Sequence, residues 1–241
     1  MIPAVISFLP CFHKETAMKI EISDNLIKHY LENVYFINGH SYAGKSTMVR
    51  MLSERFDMVH CGENYHDAFP REKLSRWKQP ALCYFDTMSG WEEWLSMTPR
   101  EHGVWMEGVS RECVELEILE LLRLAASGRK IIVDTNIPPE ILRHISDYHR
   151  VAIMLCEPPD ICKEKFFDRD DPDKQFMLHQ ISLCKDPVST RKNFDSWASY
   201  KPDVAEDWNG TGFFTYTRRD FEKDTREEVL NLLADHFGLK A

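Results

Sequence analysis

The residues best placed to do chemistry form one short run, Gly39-His40-Ser41-Tyr42-Ala43-Gly44-Lys45-Ser46, followed by Thr47. It fits G-x-x-x-x-G-K-[ST], a turn whose backbone N–H groups converge on a chain of phosphates. The lysine of such a loop neutralises the outer phosphates, and the hydroxyl after it is a ligand for Mg²⁺. A strand must deliver this loop and a helix must carry its lysine. Val34-Tyr35-Phe36-Ile37-Asn38, just before it, is short, apolar and rich in β formers. After it, Met48, Met51, Leu52 and Phe56 recur at helical spacing. The plainer reading is a glycine-containing turn ahead of an ordinary helix.

A second acid-bearing element completes the pattern. Lys130-Ile131-Ile132-Val133-Asp134-Thr135 has the continuous apolar centre of a buried parallel strand, with Asp134 at its carboxyl end. An acid there can hold a metal-bound water or accept a proton; otherwise it caps the turn before Pro138-Pro139. Asp57-Met58-Val59-His60-Cys61 reads as a further strand, running into Gly62-Glu63-Asn64-Tyr65-His66-Asp67. Ligands of open α/β sheets lie beyond strand carboxyl ends, so Glu63, Asn64, His66 and Asp67 either approach the loop or form a solvated connection.

Between about Ala68 and Ser127 the chain is too long for a simple crossover and reads as a mostly helical insertion. It carries Trp77, Trp91, Trp94 and Trp105, read as core, and Arg71 and Arg76, which could grip an anionic group. An apolar helix through Val114, Leu116, Ile118, Leu121 and Leu124 ends before Gly128. Pro139 to Ile145 suits a helix with proline at its start, and Val151 to Cys156 suits another buried strand. A charged helical stretch runs from Asp160 to about Arg191. Gly212 to Thr217 reads as a last strand, and Thr225-Arg226-Glu227-Glu228 as a capping box opening the final helix.

The chain has 241 residues, of which 43 % are hydrophobic, enough to bury the core of one domain. Its formal net charge of −9 argues against the basic stripe of a nucleic-acid binder. Seven cysteines without a C-x-x-C pair read as reduced cytoplasmic thiols, not as a disulfide framework or zinc site. No apolar run reaches membrane-spanning length. Ile2 to Pro10 lacks the basic flank of a signal peptide, and residues 1–17 read as a disordered extension ahead of Met18.

With the loop from Gly39 to Thr47, the strand acid Asp134, and the order of the remaining elements, residues 33–237 resemble the P-loop small-molecule kinases of the nucleoside-monophosphate and shikimate kinase type. The resemblance implies a three-layer α/β P-loop fold with a parallel five-stranded sheet. It also implies one domain over 18–241, with an acceptor-binding insertion at about 66–127 and a lid at about 160–191. The implied activity is Mg²⁺- and ATP-dependent phosphoryl transfer to a small metabolite, nucleoside or nucleotide, without nucleic-acid or membrane partners. Lys45 and Asp134 would then be catalytic, with Ser46 and Asp134 at the metal. Arg169 is the first candidate for a lid arginine, and Lys165 and Arg191 are reserves; each also fits a solvated helix face. Glu63, Asp67, Arg71 and Arg76 are the acceptor-binding candidates. Three residue patterns depart from the family. Tyr42 is bulky, D-G-x-P-R is replaced by Asp134-Thr135-Asn136-Ile137, and the lid is acidic at Asp168-Arg169-Asp170-Asp171. Carboxylates near the loop favour a hydroxyl acceptor, which needs a base, over a phosphate, which does not. An NTPase switch without an acceptor and a non-catalytic nucleotide-binding module are the competing readings.

Overall fold

The computed structural model describes residues 22–158, 161, 172–197 and 208–240. The expectations for residues 1–17, Lys165, Arg169 and the acidic run around it lie outside these residues. Five strands, β1 (Val34–Gly39), β2 (Val59–Cys61), β3 (Ile131–Asp134), β4 (Val151–Cys156) and β5 (Phe214–Arg218), form one all-parallel sheet in the order β2-β3-β1-β4-β5. Eight α-helices among the described residues accompany it: α1 (Asp24–Tyr30), α2 (Lys45–Arg55), α3 (Trp91–Leu95), α4 (Pro99–Ala125), α5 (Pro139–Ile145), α6 (Pro172–Leu183), α7 (Pro187–Ser196) and α8 (Arg226–His236).

Strand side chains alternate between faces, and here both faces are covered. Tyr35 and Ile37 of β1, Ile132 of β3, and Ala152 and Met154 of β4 pack against Met48, Val49 and Leu52 of α2 and Val229, Leu230 and Leu233 of α8. Val34, Phe36, Ile131, Val133, Val151 and Ile153 meet Leu121 of α4 and Leu142 and Ile145 of α5 on the opposite face. Each Val, Leu, Ile, Phe or Met side chain among them, fully buried, contributes about 1.5–3 kcal/mol of transfer free energy. The chain therefore leaves neighbouring strands β1 and β3 toward opposite faces. In register, Ile37 faces Asp134 and Gly39 faces Met154. A crevice opens where such connections diverge, beyond the strand ends.

The helices outside the sheet build a third core. Thr98 caps α4 in a reciprocal box with Glu101, and Pro99 starts its 27 residues. Trp94 and Leu95 of α3 pack with Ile181 of α6, Cys184 and Trp197, ringed by Tyr84, Phe85, Trp91 and Trp105. Trp94 and Trp197 cross at 4.8 Å, His102 stacks on Trp197 at 3.8 Å, and Asn193 Nδ2 donates to the carbonyls of Leu95 and Met97. This core joins the insertion after β2 to the helices after β4 in one lobe. Trp77 departs from the core expectation. It is 96 % exposed, in a turn closed by Ser75 Oγ accepting its backbone N–H.

The expected capping box at Thr225 is absent: its side chain makes no cap, and the Asp224 carboxylate accepts the N–H of Arg226 instead. No helix among the described residues is long and apolar enough to cross a membrane.

Candidate functional site

The glycine-rich loop leaves β1 through Gly39, whose φ is +120°. A Cβ on Gly39 would lie 2.0 Å from the Met154 carbonyl oxygen of the neighbouring strand, so only glycine fits. The N–H of His40 donates to that same carbonyl at 2.9 Å. His40 Nδ1 accepts the N–H of Cys156 at 3.3 Å, so the imidazole braces the loop against the end of β4. Burial holds His40 below the usual histidine range. Tyr42 has a φ of +67° and packs against the α2 and α8 core. Its ring is thus partly buried against that core and does not stand wholly in solvent. Gly44, with φ +98°, caps α2 without a side chain, and the first-turn N–H groups of α2 have no acceptor within the helix.

Three side chains meet where that helix begins. Ser46 Oγ donates to Asp134 Oδ2 at 2.7 Å. Lys45 Nζ lies 3.7 Å from Asp134 Oδ1 and donates to the His40 carbonyl at 3.3 Å. Lys45 and Asp134 are 8 % and 1 % exposed. Burial raises the Asp134 carboxyl above its ordinary range, Lys45 and Ser46 oppose that, and Glu63 adds to it. Asp134 Oδ1 is buried and accepts no hydrogen bond. Asp134 does not cap α5, which starts from Pro138 with no side-chain cap.

A second carboxylate, Glu117 of α4, bonds the residue after Asp134 and is 1 % exposed. Its Oε2 accepts the hydroxyls of Tyr65 at 2.7 Å and Thr135 at 2.8 Å. Its Oε1 faces His66 Nδ1 at 3.5 Å. Cys113 and then Glu117 raise the His66 imidazole to about 10, against the effect of burial. Burial, then Glu117, pushes the Tyr65 phenol well above its ordinary range, so it stays a donor. Thr135 Oγ1 also accepts the N–H of Ile137 at 3.1 Å. Asn38 Nδ2 donates to the Ile137 carbonyl at 2.7 Å, and Asn38 Oδ1 accepts the N–H of Gly39 at 2.6 Å. None of Asn38, Tyr65, Thr135 and Glu117 was a sequence candidate. Glu117 left a signal: Cys113, Glu117, Leu121 and Ala125 are spaced by four and all buried, which puts an acid on an apolar stripe.

The other candidates are more scattered. Glu63 is exposed and electrostatically coupled to Asp134. Asp67 is exposed, 3.8 Å from His66 Nε2. Arg71 turns to Asp86 at 3.1 Å and to the Leu82 carbonyl at 3.2 Å, within the insertion. Arg76 is exposed. Arg191 pairs with Asp195 one turn along α7 at 2.9 Å. Beside the loop, on the β5 side, is a cleft of about 340 Å³ lined by Thr47, Met154, Tyr216, Arg218, Phe221 and Lys223 among others. Arg218 lies over the Phe221 ring and donates to the Tyr42 carbonyl at 3.2 Å. Five cysteines among the described residues are buried. No group of three or more His, Cys, Asp or Glu side chains among the described residues is arranged to hold a metal.

Comparison with protein families, curated proteins and solved structures found no match to this chain.

Proposed function

We propose that the chain is a cytoplasmic P-loop phosphotransferase that moves the γ-phosphoryl group of ATP to a small molecule. The observation that carries this reading is the meeting of Lys45 and Ser46, on the first turn of α2, with Asp134 at the end of β3. A buried ammonium, a hydroxyl and a carboxylate converge where unsatisfied N–H groups already favour an anion. The pair Ser46 and Asp134 offers hard oxygens, and Asp134 Oδ1 has an unused lone pair, which fits Mg²⁺ kept largely in water and phosphate oxygens. When bound, that ion supplies charge neutralisation between the phosphates.

The chain's own residues then have separate tasks. The backbone from His40 to Ser46 cradles the β-phosphate, and Lys45 leaves the His40 carbonyl to bridge the outer phosphates. The cleft beside Tyr216, Arg218 and Phe221 takes the base. Glu63 and Asp67, exposed at the end of β2, face the acceptor side, where a carboxylate can accept the proton of a hydroxyl. Asp134, the other carboxylate beside the loop, is held by Ser46 on Oδ2 and faces Lys45 with Oδ1. Arg169 remains the proposed lid arginine. Catalysis of this kind consists mainly of positioning and charge stabilisation, which suits a preorganised, water-poor floor.

The test is ADP formation from Mg·ATP by the purified protein, alone and against pools of nucleosides, nucleotides, sugars and hydroxy acids. Acceptor-dependent ADP formation that disappears in Lys45→Ala is the expected result. ADP formation indifferent to every pool would replace the kinase reading with an NTPase switch. Tight ATP binding without turnover would leave a binding module, and full activity in Lys45→Ala would overturn the site assignment.

A further inference from the structure

We propose that Glu117 is a positioning residue, which sets Asp134 and the glycine-rich loop by anchoring Thr135 through its buried carboxylate. This rests on the reading of Asp134 and the loop as the nucleotide site.

The argument begins with cost. A carboxylate taken out of water is destabilising by several kcal/mol unless it is paired and hydrogen-bonded. At 1 % exposure, on a helix face otherwise made of Cys113, Leu121 and Ala125, an apolar side chain would serve packing better. A carboxylate here does what an apolar residue cannot. It accepts two hydroxyls on one oxygen, from Tyr65 after β2 and from Thr135 after β3, and meets His66 with the other. Three segments are thereby held at one point.

The bonds continue into the site. With its proton given to Glu117, the Thr135 oxygen accepts the N–H of Ile137, which fixes the turn that follows Asp134. The Ile137 carbonyl takes Asn38 Nδ2, and Asn38 Oδ1 takes the N–H of Gly39. An unbroken series runs from α4 through Glu117, Thr135, Ile137 and Asn38 to the first residue of the loop. Asp134 lies one residue before Thr135, and the Thr135 N–H is itself bound to the Ile37 carbonyl at 3.0 Å. Members of such a series in a low-dielectric interior strengthen one another, so removal of its first acceptor loosens the rest.

The experiment compares ATP affinity with and without Mg²⁺, by calorimetry, in the full chain and in Glu117→Met, Thr135→Val and Thr135→Ser. Valine keeps the shape of threonine and loses the hydroxyl; serine keeps the hydroxyl. Thr135→Val and Glu117→Met are expected to lose about 10- to 100-fold of the Mg²⁺-dependent gain, with a smaller loss of Mg²⁺-free affinity through the loosened loop. Thr135→Ser is expected to retain the gain. If Glu117→Met does not fold, the Thr135 pair decides. Retention of the full gain in Thr135→Val, or equal loss of Mg²⁺-free and Mg²⁺-bound affinity, overturns the proposal. Should the unmodified protein bind no ATP, the nucleotide reading fails. The positioning role is then read from the backbone amide resonances of Asp134 and Gly39. They should shift in Thr135→Val and hold in Thr135→Ser, and unmoved resonances in both overturn it.

Discussion

Ser46 Oγ and Asp134 Oδ2 are 2.7 Å apart although 88 positions separate them in the chain. The parallel pairing of β1 with β3 makes that contact, because it brings the start of α2 level with the end of β3. Asp134→Asn keeps the shape and an oxygen for Ser46 but removes the charge facing Lys45. Because the buried Lys45 ammonium loses its counter-charge, the variant is expected to melt below the unmodified protein. Mg·ATP turnover should fall by about 100-fold or more. Thermal unfolding and ADP release measured on one preparation check both halves.

The two loop glycines should not respond alike. Gly39→Ala puts a methyl group 2.0 Å from the Met154 carbonyl oxygen, backbone against backbone, and must push β1 from β4. It is expected to yield no folded soluble protein. Gly44→Ala meets nothing closer than Met154 Cε at 3.8 Å and bears only the strain of φ +98°, about 1–2 kcal/mol. Expression and urea unfolding of the two variants provide the comparison.

Two histidines give stability opposite dependence on pH. Burial lowers His102 to about 4, so above pH 6.5 it is neutral in both folded and unfolded chains. Between 6.5 and 4 the unfolded chain binds the extra proton, and stability falls as pH falls. His66, raised to about 10, holds a proton that the unfolded chain releases near 6.5. Its contribution is complete below 6.5 and lost as pH rises toward 10. Denaturant midpoints should therefore decline on both sides. His102→Phe, which keeps a ring on Trp197, should flatten the acid limb, and His66→Gln the alkaline one.

Arg218 links the cleft to the loop through the Tyr42 carbonyl. Arg218→Met leaves that carbonyl without the guanidinium and removes a cation from the cleft. ATP affinity is expected to drop about tenfold, the scale of one hydrogen bond to a charged group. Calorimetry of Arg218→Met beside Lys45→Ala measures it, and unchanged affinity would exclude the cleft from the proposed nucleotide site.

Much of this architecture is legible in the residues themselves. Val151–Cys156 and Pro139–Ile145 have the expected bounds, because one is apolar throughout and the other opens on prolines. The second strand is shorter than its apolar run, since Asp57 turns at φ +48° and pairing starts only at Val59. A capping box expected at Thr225 does not form, whereas Thr98 and Glu101 form one that the apolar pattern alone did not reveal. Lys45, Ser46 and Asp134 were legible because a motif and a strand end mark them. Glu117, Thr135 and Asn38 were not, because their role arises from contacts 18 to 99 positions apart.

The aromatic lobe has a consequence for how the molecule comes apart. The chain enters it after β2 and leaves along α4, then returns after β4 and leaves again before β5. One helix of 27 residues, about 40 Å long, also reaches from Trp105 in that lobe to Leu121 under the sheet. A lobe tethered this way cannot swing on a single thread. If a protease cuts one crossing, the two fragments remain clasped by Trp94, Trp197 and the α4 shaft, and the nicked protein should still elute as one particle.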